Sequence, residues 1–260
     1  MRRTESAPLR TSVGRVAGLG LAMLTIVASM MLWAQSSKLT SKPGLRVPSD
    51  VSWTEDTIAL ASGGSVVRGL ILSRRCDRCH GVEGFSSRPT TPNLAGLDRL
   101  SFWKQLEDFR SGKRPSFIMQ QVLQFVLPES DPDLAAYYSM LPTSSDPQDV
   151  REFPSAAPAA GHTTIAARLV SLGDGRRGIP PCQACHGPVA FVRGAPPLRA
   201  QNTGYILEQL EAFADASRAN DINISMRSIS AALTDEERRA LAEYYGAGFG
   251  MNSAGATAAP

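Results

Sequence analysis

This chain has no cysteine to spare for a structural disulfide. Its four cysteines, Cys76, Cys79, Cys182 and Cys185, all lie in two copies of one pentapeptide, "CDRCH" and "CQACH". Other features are equally scarce. There are only three histidines, and two of them complete those pentapeptides. No stretch alternates apolar and polar residues in the manner of a half-buried strand, which argues against a β-fold. No lysine- and arginine-rich patch is interleaved with aromatics. The excess of positive charge sits in residues 1–50, where seven basic residues face two acidic ones. The basic balance therefore belongs to one terminal segment, and no nucleic-acid partner is expected. At 43% apolar and 20% charged, the 260 residues read as globular.

The single long apolar run is N-terminal. "MRRTESAPLRTSVGR" is basic, and "VAGLGLAMLTIVASMMLWA" (residues 16–34) follows it. Basic-then-apolar is the order an export signal requires. This run of nineteen residues exceeds the cleaved-signal range of about 7–15 and approaches the roughly 20 that span a bilayer. An uncleaved membrane-anchoring helix is expected. A cut after Ala34-Gln35-Ser36, whose first and last residues are small as a signal peptidase requires, is the alternative, which would release a soluble protein. Either outcome exports the rest of the chain.

That remainder is a tandem repeat. Cys76 precedes Met119 by 43 residues and Cys182 precedes Met226 by 44; each methionine precedes a tyrosine pair, Tyr137-Tyr138 or Tyr244-Tyr245, by 18. "FWKQLEDFRSGKRP" parallels "YILEQLEAFADASRAND", and "PNLAG" parallels "PPLRA". Apolar residues recur at helical spacing before each cysteine motif, between motif and methionine, and at the tyrosine pairs. Thr234 followed by Glu237 reads as a capping box. The fold class is all-α, built twice. The expected organisation is a signal or anchor over 1–36, a tether over 37–55, domains over 56–142 and 162–248, a Pro/Ser/Ala-rich linker over 143–161, and a small-residue tail over 249–260.

Three chemistries use C-x-x-C followed by histidine. A Cys₄ zinc ribbon brings two C-x-x-C arms together across about 15–20 residues. Here 102 residues intervene and each arm has its own repeat, with no fourth ligand inside either. A thioredoxin-like dithiol needs a βαβ setting, and no strands are expected. C-x-x-C-H is the signature of c-type haem attachment: two thiols on one short turn bond the haem vinyl groups and the adjacent imidazole lies under the iron. Two covalently bound haem c groups are expected, on Cys76 and Cys79 with His80, and on Cys182 and Cys185 with His186. A repeat of this size has a thin core, so the haem is expected to support folding as well.

The second axial position has matched candidates. Met119 and Met226 are equally spaced from the cysteines and from the tyrosine pairs, which favours iron ligation over service as ordinary core methionines. Met140 and Met251 have no matched partner. His162, at the end of the linker, reads as a solvated residue rather than a ligand. The tyrosine pairs read as packing between the first and last helices of a repeat, with a redox relay as the alternative. Pro92, 12 residues after His80, and Pro196, 10 after His186, are candidates to offer a backbone carbonyl to the histidine's other nitrogen and fix its ring. His/Met ligation favours ferrous iron and fills both axial sites, so no small-molecule substrate is expected at iron.

The order CxxCHG, P-x-L, "QLxxF", Met and "LxxYY" resembles the class I c-type cytochromes, and its duplication is similar to the two-haem cytochrome c4 family. The resemblance covers residues 56–246. It departs at "LAGL" and "LRAQ", where the family usually has "LAGQ", and at the proline in "DPDLAAYY". It implies two class I domains and a non-enzymatic electron carrier on the periplasmic side of a bacterial inner membrane. Its implied partners are a terminal oxidase, a quinol-oxidising complex or a dehydrogenase in a respiratory chain. A cytochrome subunit of a larger complex is the alternative; a di-haem peroxidase or sulfur-compound oxidoreductase is less favoured, because it needs an open iron.

Overall fold

The computed structural model of the protein describes residues 48–143, 164–187 and 192–246. The expected anchor or signal over 1–36, His162 and Met251 lie outside them. Among the described residues no helix is long and apolar enough to cross a membrane. Their regular structure is helical, apart from one isolated bridge between Asp174 and Ile179.

In the first repeat, α1 (Glu55–Ser62) and α2 (Val66–Ser73) precede the one-turn α3 (Asp77–His80) of the cysteine motif; α4 (Arg99–Arg110), α5 (Phe117–Leu123) and α6 (Asp131–Met140) follow. The second repeat holds the counterparts of α2 to α6: α7 (Ile165–Ser171), the one-turn α8 (Gln183–His186), α9 (Thr203–Ala214), α10 (Ser225–Ala232) and α11 (Asp235–Gly246). The starts obey side-chain capping, which satisfies N–H groups left free at a helix N-terminus. Thr54, Ser65, Asp98, Ser116 and Thr164 each accept from a first-turn amide. The Thr234–Glu237 box is reciprocal: Glu237 N–H donates to Thr234 Oγ1 at 3.2 Å, and Thr234 N–H to Glu237 Oε2 at 2.9 Å.

The leading segment is two helices, and the closing helix passes close beside the break between them. A Cβ on Gly64 would lie 1.9 Å from the Pro132 carbonyl oxygen. One turn further on, a Cβ on Gly69 would lie 2.1 Å from Asp133 O and 2.7 Å from Tyr137 Cβ. Backbone therefore meets backbone where α2 crosses α6. Pro132, which departs from the family pattern, sits in the first turn of α6, where its missing N–H costs nothing. Asp133 locks the crossing, accepting from Ser65 N–H at 2.6 Å and from Arg68 Nε and Nη2 at 2.7 and 2.9 Å. Arg110 joins α4 to α6 through a two-pronged pair with Asp131 and reaches the Leu123 carbonyl at the end of α5. In the second repeat Arg177 grips Glu237 of α11 in the same two-pronged way.

Each repeat has its own core. Phe102, Leu106, Phe109, Leu134 and Tyr138 lead the first; Leu169, Ile179, Ile206, Leu210 and Leu241 lead the second. The Phe102 and Tyr138 rings stack 5.2 Å apart.

Gly69→Ala separates two effects of opposite sign. Helix propensity alone would stabilise α2 by about 1 kcal/mol. The clash with Asp133 O should win and destabilise the protein by about 1–3 kcal/mol. Denaturant unfolding of the haem-loaded protein measures it, and a more stable variant would mean that α2 and α6 do not touch.

Candidate haem sites

Both cysteine motifs fold into a single helical turn. His80 N–H donates to Cys76 O at 2.9 Å and His186 N–H to Cys182 O at 2.9 Å. Residues three and four apart on a helix share a face, so both thiols and the imidazole of each motif are brought to one side. Gly81 ends the first turn at φ +77°, and a Cβ there would meet Phe85 O at 1.9 Å. Glycine is therefore required at that position.

The two rings are held alike. His80 Nδ1 lies 2.9 Å from the Pro92 carbonyl oxygen, and His186 Nδ1 lies 2.7 Å from that of Pro196. A carbonyl can only accept, so Nδ1 carries the proton and Nε2 keeps its lone pair for a metal. Burial lowers both histidines from their ordinary pKa, against the weaker raising effect of the carbonyl. The neutral imidazole is the form that ligates.

The first thiol of each motif lies in an apolar setting. Burial pushes Cys76 up, and pushes Cys182 up to about 11. A reactive or metal-binding thiol is lowered instead. Among the described residues, no three of His, Cys, Asp and Glu converge as metal ligands. A flat apolar group with its own iron fits better. Cys76 and Met119 pack against the first core, and Cys182 and Met226 against the second. Met119 begins on a capped turn, its N–H donating to Ser116 Oγ at 3.3 Å. The Tyr138 and Tyr245 hydroxyls are buried, and that of Tyr138 lies against the Cys76 thiol. Burial raises both above the ordinary tyrosine pKa, with Cys76 and Cys182 respectively as the next cause. Tyr137 packs on Gly69, so its place is the helix crossing. Met140 is 65% exposed.

The repeats also face one another through a polar interface. Gln105 and Gln209 occupy the same position in the "QLxxF" segments, as do Arg114 and Arg218 nine residues on. Each arginine donates to its own repeat's glutamine, at 2.8 and 2.7 Å, and to the other repeat's, at 2.9 and 3.0 Å. Each also lies over its own repeat's phenylalanine, 4.7 Å from the Phe109 centroid and 4.4 Å from that of Phe213. Burial and the facing Arg114 lower the Arg218 pKa. Beside them Lys104 Nζ, buried in α4, donates to Asp108 Oδ2 at 2.5 Å and to the Asn220 carbonyl at 2.7 Å. Asn220 returns a bond to Asp108 at 2.7 Å. Sequence reasoning did not find this interface, although the Gln and Arg repeated nine residues apart were its signal.

Two one-turn CxxCH helices, each with an imidazole held at Nδ1 and a methionine on the same core, define a di-haem c-type cytochrome. No protein-family model matches the chain. It is 36% identical to the thiosulfate dehydrogenase electron acceptor of Stutzerimonas stutzeri (strain A1501), over 65% of this chain and 77% of that protein. It is 34% identical to cytochrome c4 of Thiocapsa roseopersicina, over 65% of this chain and 84% of the relative. The crystal structure of reduced cytochrome c4 from Pseudomonas stutzeri superposes with a TM-score of 0.59 at 28% identity, covering 70% of this chain and 98% of that one. The chain belongs to the cytochrome c4 family, and two covalent haem c groups are its cofactors.

Replacing both cysteines of one motif by alanine should halve the haem content. Pyridine haemochrome absorbance per protein should read two haems for the parent and one for Cys182→Ala/Cys185→Ala. Two haems in that variant would place an attachment site elsewhere.

Proposed function

We propose that this protein carries electrons between redox enzymes outside the cytoplasm, one His/Met-ligated haem in each of two domains spanning 56–142 and 162–248. Cys76 and Cys79 bear the first haem, with His80 and Met119 on its iron. Cys182 and Cys185 bear the second, with His186 and Met226. When bound, each haem supplies a one-electron ferrous/ferric couple. The residues do the rest. Pro92 and Pro196 hold the imidazoles in one tautomer, methionine sulfur favours the reduced state, and two filled axial positions keep ligands away from iron. The carrying observation is the paired geometry: each histidine's Nδ1 is fixed by a proline carbonyl, and each methionine packs on the core that receives the first cysteine.

The N-terminal basic and apolar segment supports export to the periplasm, with an uncleaved helix holding the carrier at the inner membrane. Respiratory partners, a quinol-oxidising complex or dehydrogenase upstream and a terminal oxidase downstream, suit a carrier of this kind. The likeness to a thiosulfate dehydrogenase electron acceptor favours a second reading of the donor. In that reading electrons arrive from an enzyme oxidising an inorganic sulfur compound, and this chain is the acceptor rather than the catalyst.

Carbon monoxide tests the ligand sets. Added to the reduced protein, it should leave the visible spectrum unchanged on mixing, because both irons are six-coordinate. Met119→Ala should open one haem to carbon monoxide and lower its potential, since methionine raises it. Prompt binding to the parent protein would remove methionine from one iron and bring enzymatic readings forward.

A further inference from the structure

The carbonyl that orients His80 belongs to a loop gripped by the other repeat. Asn202 Nδ2 donates to the Thr91 carbonyl at 2.6 Å and to that of Arg88 at 3.0 Å. Gln201 takes the residue on the far side of Pro92: Asn93 N–H donates to Gln201 Oε1 at 2.7 Å, and Gln201 Nε2 donates to Asn93 O at 2.9 Å. Asn93 Nδ2 adds a bond to the Ala200 carbonyl at 2.7 Å, and Tyr205 N–H one to Pro89 O at 2.9 Å. Gln201 is 6% exposed, so its own bonds form where water competes poorly.

The two loops are not gripped by the same residue types. Gly96 and Ala200 are equivalent: both have left-handed φ, +71° and +55°, and each N–H donates at 2.9 Å to the second tyrosine of its repeat's pair. That register sets Leu97 opposite Gln201, and Pro197 opposite Asn93. Leucine has no polar atom to offer, and proline has no N–H to give. The first repeat's Asn93 reaches the second repeat's loop through the Ala200 carbonyl, four residues beyond Pro196.

We infer that Gln201 and Asn202, on the second repeat, are positioning residues for the axial histidine of the first, and that they set the potential of the first haem. This rests on His80 being that haem's ligand. A firm Nδ1–H···O=C bond makes the imidazole a stronger donor, which favours ferric iron. Releasing the Pro92 carbonyl weakens that donation and moves the potential of the first haem up.

The experiment uses the full haem-loaded protein with ¹⁵N-labelled histidine, in the parent, Gln201→Leu and Asn202→Ala. Ring nitrogens of His80 and His186 are assigned through contacts to Pro92 and Pro196, and each haem is titrated by NMR. In either variant the His80 Nδ1–H should shift and exchange faster with solvent, and the first haem's potential should become more positive. The His186 signals and the second potential should stay put. If Gln201→Leu fails to load two haems, Asn202→Ala reads the same loop. Unmoved His80 signals and potentials, or equal movement at both haems, overturn the inference. An iron-free His80 ring in the parent would instead remove the ligand assignment beneath it.

Discussion

An imidazole offered to iron has one nitrogen for the metal and one that must be held, and the arrangement of each repeat follows from where the second goes. In both cases Nδ1 meets a proline carbonyl, at 2.9 and 2.7 Å. Such a bond fixes the ring's tautomer and direction only if the carbonyl itself is fixed. In the first repeat the carbonyl's loop is pinned by Asn93, whose Oδ1 accepts from Ser86 N–H at 2.8 Å. The loop's end is tied to α6 by Gly96 N–H and the Tyr138 carbonyl. Helix α6 is in turn set against α2 by glycine-mediated backbone contact and by Asp133. The chain of constraint thus runs from a helix crossing, through a loop, to one nitrogen atom.

Duplication did not leave the two copies equivalent. The helices and the holding of the histidines are shared, as are the crossed Arg–Gln pairs. The interface around them is not: α4 carries the buried Lys104 and Asp108, where α9 has Glu208 and Ala212. Gln201 faces Asn93 while Leu97 packs into the first core. Two sites of the same chemistry therefore experience different surroundings.

The local chemistry was legible because it is written in short spacings. CxxCH fits one turn, and the proline whose carbonyl meets each imidazole follows it at 12 and 10 residues. Helical periodicity gave the fold class, and Thr234 with Glu237 gave a helix start. What was not legible depends on which surfaces meet. Gly64 reads as a loop glycine until Pro132 is known to lie against it. "LRAQ" reads as a departure from the family pattern, and only the facing loop gives its glutamine a role. Lys104 and Asp108 look like a surface i,i+4 pair, yet their side chains are 4% and 1% exposed, because the other repeat covers them.

That covering is polar for a physical reason. Two apolar faces can slide over each other with little change in energy, since hydrophobic contact is non-directional. Crossed Arg–Gln bonds and a buried Lys104–Asp108–Asn220 cluster tolerate no such slip, because a displaced partner leaves a buried polar group unpaired. Burying charge is a poor route to stability but an effective one to a single register. A carrier with one haem in each half needs that register more than it needs a tighter interface. Electron passage between two sites falls steeply with their separation, so the geometry between the halves sets how readily one can fill the other.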